Sequence, residues 1–285
     1  MTNSPDEGFA FKVVRGHSFD CPWHFHSEYE LILIVQSGGY RMVGDHLAPL
    51  RSGDLVLVGP NLPHIYQNDE ATPGHVPPVH AVLIQFEETC LGVDLLRLPA
   101  LGPVRQLFKR AALGLHVTGA TRNTVAAMMH KMAGLSGLQR IILFLDILEA
   151  LSASHECRPL ASAGFTAQDN PFDQERMNRV CQFIHQRLDQ TLFRPDLARL
   201  VHLSEGAFSR FFRLHTGKTF SEFVNELRIG RACRLLVESE MNVTEIAFAC
   251  GFSNLSNFNR QFLRRKKTAP TEFRRDVATH ALTSQ

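Results

Sequence analysis

Between Gly251 and Phe273 the apolar positions Leu255, Phe258 and Phe262 fall on one side of a helix of about 3.6 residues per turn, and Ser256, Asn259, Arg260 and Arg264 fall on another. Val243 to Cys250, with Ile246 and Ala247 as packing residues, supplies an earlier helix, and Gly251 stands where a turn between two short helices needs positive φ. The pattern predicts a helix-turn-helix, stopped at Pro270 and followed by a short helix with a basic edge at Phe273-Arg274-Arg275. A second copy lies upstream. Leu197 to Leu203 reads as a short apolar helix, Ser204 is an N-cap, and Phe208, Phe211 and Phe212 form a stripe with Gly206, Ser209, Arg210 and Arg213 opposite. Phe220 to Glu238 keeps the helical period between the copies, with Phe223, Leu227, Cys233 and Leu236 inward. At about 1.5 Å per residue such a rod can hold two reading helices roughly one DNA turn apart. Gln174 to Gln190, with Met177, Val180, Cys181, Ile184 and Leu188 inward, is predicted to brace the upstream copy, and Pro195 opens the helix after it.

The other half of the chain has a different period. From Phe9 to Phe86 short β-rich runs (Glu30 to Gln36, Leu55 to Val58, Val79 to Phe86) alternate with turns at Gly38-Gly39 and Gly44-Asp45, which predicts an antiparallel barrel or jelly roll. From Val104 to Leu151 the period becomes helical: Val104, Leu107, Phe108 and Ala111 form one stripe, and Val125, Met128, Met129 and Met132 another. Leu138, Ile141, Leu145 and Leu148 recur at 3-4-3 spacing, while Phe144, Ile147 and Leu151 make a second apolar side. That helix is expected to pack on its own barrel and on a second copy, giving a homodimer. Ser152 to Pro171 reads as a linker. The fold class is therefore α+β and multidomain: a barrel over 1–100, a helical dimerisation segment over 101–155, a linker over 156–171, and an all-α domain with two helix-turn-helix units over 172–285.

Charge sharpens this division. The net charge of +2 hides 18 Lys and Arg against 12 Asp and Glu in residues 172–285, and 12 against 16 in residues 1–171. The basic half is the one with the helix-turn-helix pattern, as phosphate binding requires. The polar start and the charges inside the greasiest run, Ile141 to Leu151, predict a cytoplasmic chain with no membrane partner. Six scattered cysteines without a CxxC pair read as reduced packing residues. No nucleotide loop, GxSxG elbow or HExxH pair occurs, so an enzyme is not expected and no catalytic residue is assigned.

Ser204 to Gly217, Arg228 to Leu236 and Ile246 to Pro270, with Phe273-Arg274 after them, resemble the AraC/XylS family of bacterial transcription regulators over roughly residues 171–277. The resemblance implies double-stranded DNA and RNA polymerase as partners. It also implies base contacts from Gly206, Ala207, Ser209 and Arg210 in the first recognition helix and from Leu255, Ser256, Asn259 and Arg260 in the second, with Arg213 and Arg264 on the same outward faces. Arg210 and Arg260 suit guanine and Asn259 suits adenine. Gly206 and Ala207 offer little to read with, so readout by the first helix rests on Ser209 and Arg210. His202 stands where the family's first turn has Gly. Arg264, Arg265, Lys266, Lys267, Arg274 and Arg275 are expected at phosphates.

Upstream, His24-x-His26-x-x-x-Glu30 followed by Gly38, and Gly53 with His64 and Asn68 after it, resemble the two motifs of the cupin barrel, which many members of that family carry as a sensor. In metal-using cupins the residues matching His24, His26, Glu30 and His64 are ligands. Alternate strand positions share a face, so these side chains can converge inside the barrel, and three imidazoles with one carboxylate suit Zn, Fe, Mn or Ni. The same groups can equally bind a ligand's hydroxyls, so no cofactor is certain. Trp23, Tyr40, Arg41 and Tyr66 are candidate wall residues, where a ring stacked on a sugar face would make a carbohydrate pocket. The turn Gly59 to His64 is expected at the barrel mouth, and Asp69 to Pro78 as a lid. The expected function is sequence-specific DNA binding and transcription control under a small-molecule effector, with a sugar or sugar derivative as the leading candidate. A metal-dependent cupin enzyme or a metal sensor fused to a DNA-binding domain is the alternative.

Overall fold

The computed structural model describes residues 7–16, 19, 23–68, 79–90, 92–165 and 170–282. The expected lid at 69–78 lies outside these residues. The chain divides into two compact units that part between Asn170 and Pro171.

In chain order the first unit runs β1 (Phe9–Gly16), β2 (Tyr29–Gln36), β3 (Gly39–Val43), β4 (His46–Leu50), β5 (Leu55–Val58), β6 (His64–Asn68), β7 (Val79–Phe86), α1 (Val93–Arg97), α2 (Gly102–Ala111), β8 (Leu115–Val117), α3 (Gly119–Met132), α4 (Gly137–Ser152) and β9 (Cys157–Pro159). Six strands form an antiparallel sheet in the order β1-β7-β2-β5-β8-β9, and β4-β3-β6 form a smaller one. The sequence of β2, YELILIVQ, lacks polar alternation because both of its faces are covered. Leu31 and Leu33 pack with Leu57, Ile84, Phe108, Phe144 and Ile147, the last three from the helices. Ile32 and Ile34 pack with Val56, Val58 and Ala81 and with Val43 and Tyr66 of the small sheet. The antiparallel expectation holds, but the two sheets remain separate ladders among the described residues: a sandwich with one helix-covered face, and not a closed barrel.

Strands β8 and β9 fall within stretches read from the sequence as helical segment and linker. Leu115, Val117 and Cys157 are buried in the sheet's core, so the α3–α4 pair is woven into the sandwich at both of its ends. Three-residue strands are too short to show a period of two. The Glu156 carboxylate accepts from the main-chain N–H of Ala120 (3.3 Å) and Thr121 (2.7 Å), supplying α3 with the anionic cap its first turn favours. Glu7 does the same for α4, accepting from Gly137 N–H (2.7 Å) and Arg140 Nη1 (2.8 Å). On α4 the buried side is Leu143, Phe144, Ile147, Leu148 and Leu151. The expected 3-4-3 seam is divided: Leu148 points inward, Ile141 and Leu145 are half-buried, and Leu138 is 71% exposed.

The second unit runs α5 (Pro171–Gln186), α6 (Arg194–Leu200), α7 (Glu205–Thr216), α8 (Phe220–Glu238), α9 (Val243–Ala249), α10 (Leu255–Lys266) and α11 (Pro270–Leu282). Helix α8 packs against α7, α9, α10 and α11. Two helix-turn-helix units, α6–α7 and α9–α10, repeat one another bond for bond. The turn is closed by Leu203 N–H to Ala198 O (2.9 Å) in the first and by Phe252 N–H to Ala247 O (3.1 Å) in the second. Phe208 and Phe212 lie 5.6 Å apart between ring centroids, and Phe258 and Phe262 lie 5.7 Å apart. Capping boxes fix the starts of α8 (Thr219 with Glu222) and α9 (Asn242 with Glu245). The helix after Pro270 is longer than the short cap expected, and α6 begins three residues earlier and ends three residues sooner than the apolar run suggests. No helix among the described residues is long and apolar enough to cross a membrane.

Candidate nucleic-acid interface and effector site

Each recognition helix presents a polar face set by its cap. Ser204 Oγ accepts from Ala207 N–H at 3.3 Å and Asn254 Oδ1 from Asn257 N–H at 2.8 Å, so α7 and α10 both start with their first-turn donors partly satisfied. On α7, Gly206, Arg210 and Arg213 are exposed, while Ala207 and Ser209 are half-buried. Ser209 Oγ donates back to Glu205 O at 2.9 Å, which leaves Arg210 and Arg213 as the outward donors of that helix. On α10, Ser256, Asn259, Arg260 and Arg264 are exposed. Arg260 Nη2 donates to Asn257 Oδ1 at 3.0 Å. Leu255, expected at a base, is half-buried against Phe258, Ile246 and their neighbours, and works as a packing residue.

Two of the six expected phosphate contacts hold the domain together instead. Arg274 donates from Nε to Leu236 O (2.9 Å), in the last turn of α8, and from Nη2 to Met241 O (2.7 Å), in the connection to α9. Arg265 donates to Glu222 O at 3.3 Å and to Gln261. Nothing in their sequence setting separates these arginines from exposed ones, since the carbonyls they cap lie some forty residues away.

In the first unit, His24, His26 and His64 come together: one ring nitrogen from each lies within 4.8 Å of the others. A β-bridge pairs His24 with His64, and their ring centroids are 4.2 Å apart. Glu30, on the inner row of β2, brings Oε2 to 3.5 Å from His26 Nε2 and Oε1 to 3.8 Å from His64 Nε2. His64 Nδ1 is 2.8 Å from Leu62 O and His26 Nδ1 is 3.0 Å from Glu28 O. A carbonyl can only accept, so both Nδ1 atoms carry a proton; Nε2 of neutral His64 then presents a lone pair, and Nε2 of His26 faces the Glu30 carboxylate. Those two Nε2 atoms are buried and have no hydrogen-bond partner among the described residues.

The electrostatics follow. Burial would raise the Glu30 carboxyl, but the three imidazoles, His26 foremost, hold it at about 2. Burial, with repulsion from His24 and His26, drives His64 down to about 4 although Glu30 opposes it. At His26 burial is outweighed by Glu30 and then Glu28, and its pKa stands above the ordinary value. Near neutral pH the cluster is thus a carboxylate facing at least one neutral imidazole. Three imidazoles and a carboxylate, with the Nδ1 atoms of His26 and His64 anchored to carbonyls, are a donor set that fits a divalent transition ion.

The proposed wall residues separate. Arg41, Val43, His64 and Tyr66 share the inner face, since Arg41 pairs with Tyr66 and Val43 with His64 across β3 and β6. Tyr40 pairs with Gln67 and so faces the other way, and Trp23, one residue before the bridge at His24, also alternates away from the imidazoles. Both are buried packing residues, which corrects their reading as ligand walls. Arg41 is spent on Asp54, with Nε to Oδ2 at 2.5 Å, and His116 Nε2 adds 3.0 Å to Oδ1. Tyr66 stays beside the cluster, with its ring centroid 6.2 Å from that of His64. Asn68 accepts from Phe19 N–H at 2.6 Å and donates to Ser37, a structural role.

Sequence reading missed Gln85 and Lys12. Gln85 Nε2 donates to Glu30 Oε2 at 2.8 Å, and Lys12 Nζ donates to Gln85 Oε1 at 2.6 Å. The signal was present in β7, where Gln85 is the polar member of an inner row that otherwise reads Val79, Ala81, Leu83.

Each unit matches a known domain family. Residues 8–83 match the model of an AraC-like ligand binding domain, and residues 197–276 match that of a helix-turn-helix domain. The HTH-type transcriptional activator RhaS of Pectobacterium carotovorum is 25% identical over 262 residues, covering 89% of this chain and 87% of that protein. The Msm operon regulatory protein of Streptococcus mutans is 22% identical over 278 residues, covering 96% and 93%. Among solved structures, the DNA-binding domain of AdpA in complex with a target DNA is 28% identical over 37% of this chain and 94% of its own, with a TM-score of 0.34. ToxT from Vibrio cholerae O395 is 14% identical, covering 94% and 97%, with a TM-score of 0.37. The named relatives are transcription regulators and not enzymes. With an AraC-like ligand-binding domain ahead of a helix-turn-helix domain, the chain belongs to the AraC/XylS family of DNA-binding transcription regulators.

Proposed function

We propose that this regulator senses a small polyhydroxylated ligand, a sugar or sugar derivative, at the centre formed by His24, His26, Glu30 and His64, and that these four residues hold a divalent transition ion. The observation that carries the proposal is the convergence of one ring nitrogen each from His24, His26 and His64 within 4.8 Å beside Glu30, with the Nε2 atoms of His26 and His64 buried and without a hydrogen-bond partner among the described residues. A buried polar atom without a partner costs about 1–3 kcal/mol, and a bound cation that takes the deprotonated Nε2 atoms removes that cost. When bound, the ion would offer open coordination positions to ligand oxygens.

DNA is read by Arg210 and Arg213 of α7 and by Ser256, Asn259, Arg260 and Arg264 of α10. The regulator acts as a homodimer and through RNA polymerase, and ligand binding shifts it between two states of different ligand affinity. The test is metal analysis of the purified full chain after incubation with Zn, Mn, Fe or Ni salts and desalting. One ion per chain is expected, lost in His26→Ala. A chain that retains no metal, with the same content in wild type and variant, refutes the centre. DNA recognition is checked separately by selection from randomised duplexes.

A further inference from the structure

The register of the large sheet places a cation beside the imidazole centre. Gln85 sits directly across from Glu30, and Lys12 across from Leu83, a member of the same inner row. The amide of Gln85 is fixed from both ends. The Glu30 carboxylate can only accept, so it takes Nε2–H; the Lys12 ammonium can only donate, so it takes Oε1. Lys12 is half-buried, and Gln85 is its one acceptor among the described residues, where it also makes no ion pair. The row it shares with Leu83 and Gln85 is the inner one, and among the described residues its charge and its remaining N–H donors meet no anion within ion-pair distance.

Charge counting says what complements them. A divalent ion held by three neutral imidazoles and one carboxylate keeps a net charge of about +1, and Lys12 adds a second. A neutral polyol balances neither. A carboxylate balances Lys12, and a hydroxyl on the neighbouring carbon supplies an oxygen to the ion.

On the reading that the centre holds a metal, we propose that Lys12, positioned by Gln85, selects an anionic effector: a hydroxy-carboxylic acid, such as a sugar acid, whose carboxylate pairs with the ammonium while its hydroxyl oxygen faces His24, His26, Glu30 and His64. Lys12 is thus a specificity-determining residue. The ligand class narrows from sugars in general to their acids.

The experiment uses the metal-loaded full chain and matched probes, glycolate against ethylene glycol and D-gluconate against D-sorbitol, in calorimetry and thermal shift. At least one acid is expected to bind roughly tenfold or more tightly than its neutral partner, the scale of one charge-assisted hydrogen bond. Lys12→Met removes that preference, Lys12→Arg keeps it, and metal content is the same in all three proteins. The inference is overturned if neither acid outbinds its neutral partner in the wild-type chain, a comparison that needs no variant, or if Lys12→Met binds acids as wild type does. Metal bound without any acid preference removes this inference alone. Absence of metal from wild type removes the centre and this inference together.

Discussion

His202 and Gly251 occupy the same place in the two helix-turn-helix turns, at φ 55° and 82°. Each N–H closes onto the carbonyl three residues back, Arg199 at 3.1 Å and Phe248 at 2.8 Å. The left-handed conformation is easy for Gly and costs other residues about 1–2 kcal/mol. The surroundings explain why only one turn tolerates a side chain. A Cβ at Gly251 would stand 2.4 Å from Leu188 O and 2.9 Å from Arg228 Nη2, whereas His202 is exposed. Arg228 donates to Leu188 O at 2.9 Å in turn, so backbone and guanidinium are both fixed there.

His202→Gly should therefore stabilise the second unit by about 1 kcal/mol, and Gly251→Ala should destabilise it by about 2 kcal/mol or more. Urea unfolding of the full chain, read by far-ultraviolet circular dichroism, checks both. Equal effects of the two substitutions would contradict the asymmetry.

Arg260 and Arg264 are both exposed on α10, but Arg260 is steadied by Asn257 and lies nearer the helix start. Arg260→Ala should cost about 1–3 kcal/mol on a selected site and much less on random duplex, while Arg264→Ala should weaken both alike and lower the salt slope by about one. Fluorescence anisotropy across a salt series separates the cases. A uniform loss for Arg260→Ala would move it among the phosphate contacts.

The pH response of the metal-free protein follows from the imidazole centre. His64 titrates at about 4 in the fold against 6.5 in the unfolded chain, so between those values the unfolded chain takes up a proton that the fold refuses, and stability falls as pH falls. Glu30 titrates at about 2 against 4.5, so its contribution, present above 4.5, disappears as pH drops further. His26, shifted up, opposes in part: its contribution is complete below 6.5 and is lost as pH rises through its raised pKa. The net expectation is a loss on the order of 1–3 kcal/mol between pH 6.5 and 4. His64→Ala should flatten the upper window and Glu30→Gln the lower one. A flat stability profile from pH 7 to 4 in wild type would show that the His64 shift is absent, and a flat one from pH 4.5 to 2 that the Glu30 shift is absent.

Asp54 makes a separate prediction, because among the described residues it is the anion that pairs with the guanidinium of Arg41, a residue only 2% exposed. Burial alone would raise its pKa, and His116 with Arg41 hold it below the ordinary value. Asp54→Asn strands a buried charge and should cost about 3–5 kcal/mol, whereas Arg41→Met combined with Asp54→Asn should recover much of that. Thermal unfolding of both variants and of Arg41→Met completes the cycle. Full additivity would mean that the pair is not coupled.

The period of 3.6 exposed the second unit because its helices are long, singly amphipathic and repeated. Phe208 with Phe212 and Phe258 with Phe262 are the same signal twice. His24, His26, Glu30 and His64 were legible through their resemblance to the two cupin motifs, a pattern carried by residue types that side-chain packing alone does not call for. What the sequence concealed depends on register. Tyr40 and Arg41 are adjacent in the chain and face opposite sides of β3, and only the pairing with Gln67 and Tyr66 says which side holds the imidazoles. Lys12 and Gln85 are 73 residues apart, and Arg274 reaches carbonyls more than thirty residues away, so no local pattern marks either. Strands β8 and β9 have three residues each, below the length at which alternation means anything.

The outward side of α4 carries the last prediction. Leu138 and Ile142 are 71% and 50% exposed, with half-buried Ile141 and Leu145 beside them, and the same outward stripe turns acidic further along the helix at Asp146 and Glu149, so the apolar part is its first two turns. Exposed leucine and isoleucine one turn apart, on a helix whose other side is fully packed, suit a partner helix from a second copy better than solvent. A double substitution, Leu138→Glu with Ile142→Glu, should leave the monomer's unfolding midpoint nearly unchanged, because neither side chain is in its core. The same variant should convert a dimer to monomer in multi-angle light scattering at micromolar concentration. A wild-type chain that is already monomeric there removes the interface, and a variant that stays dimeric moves it to another surface.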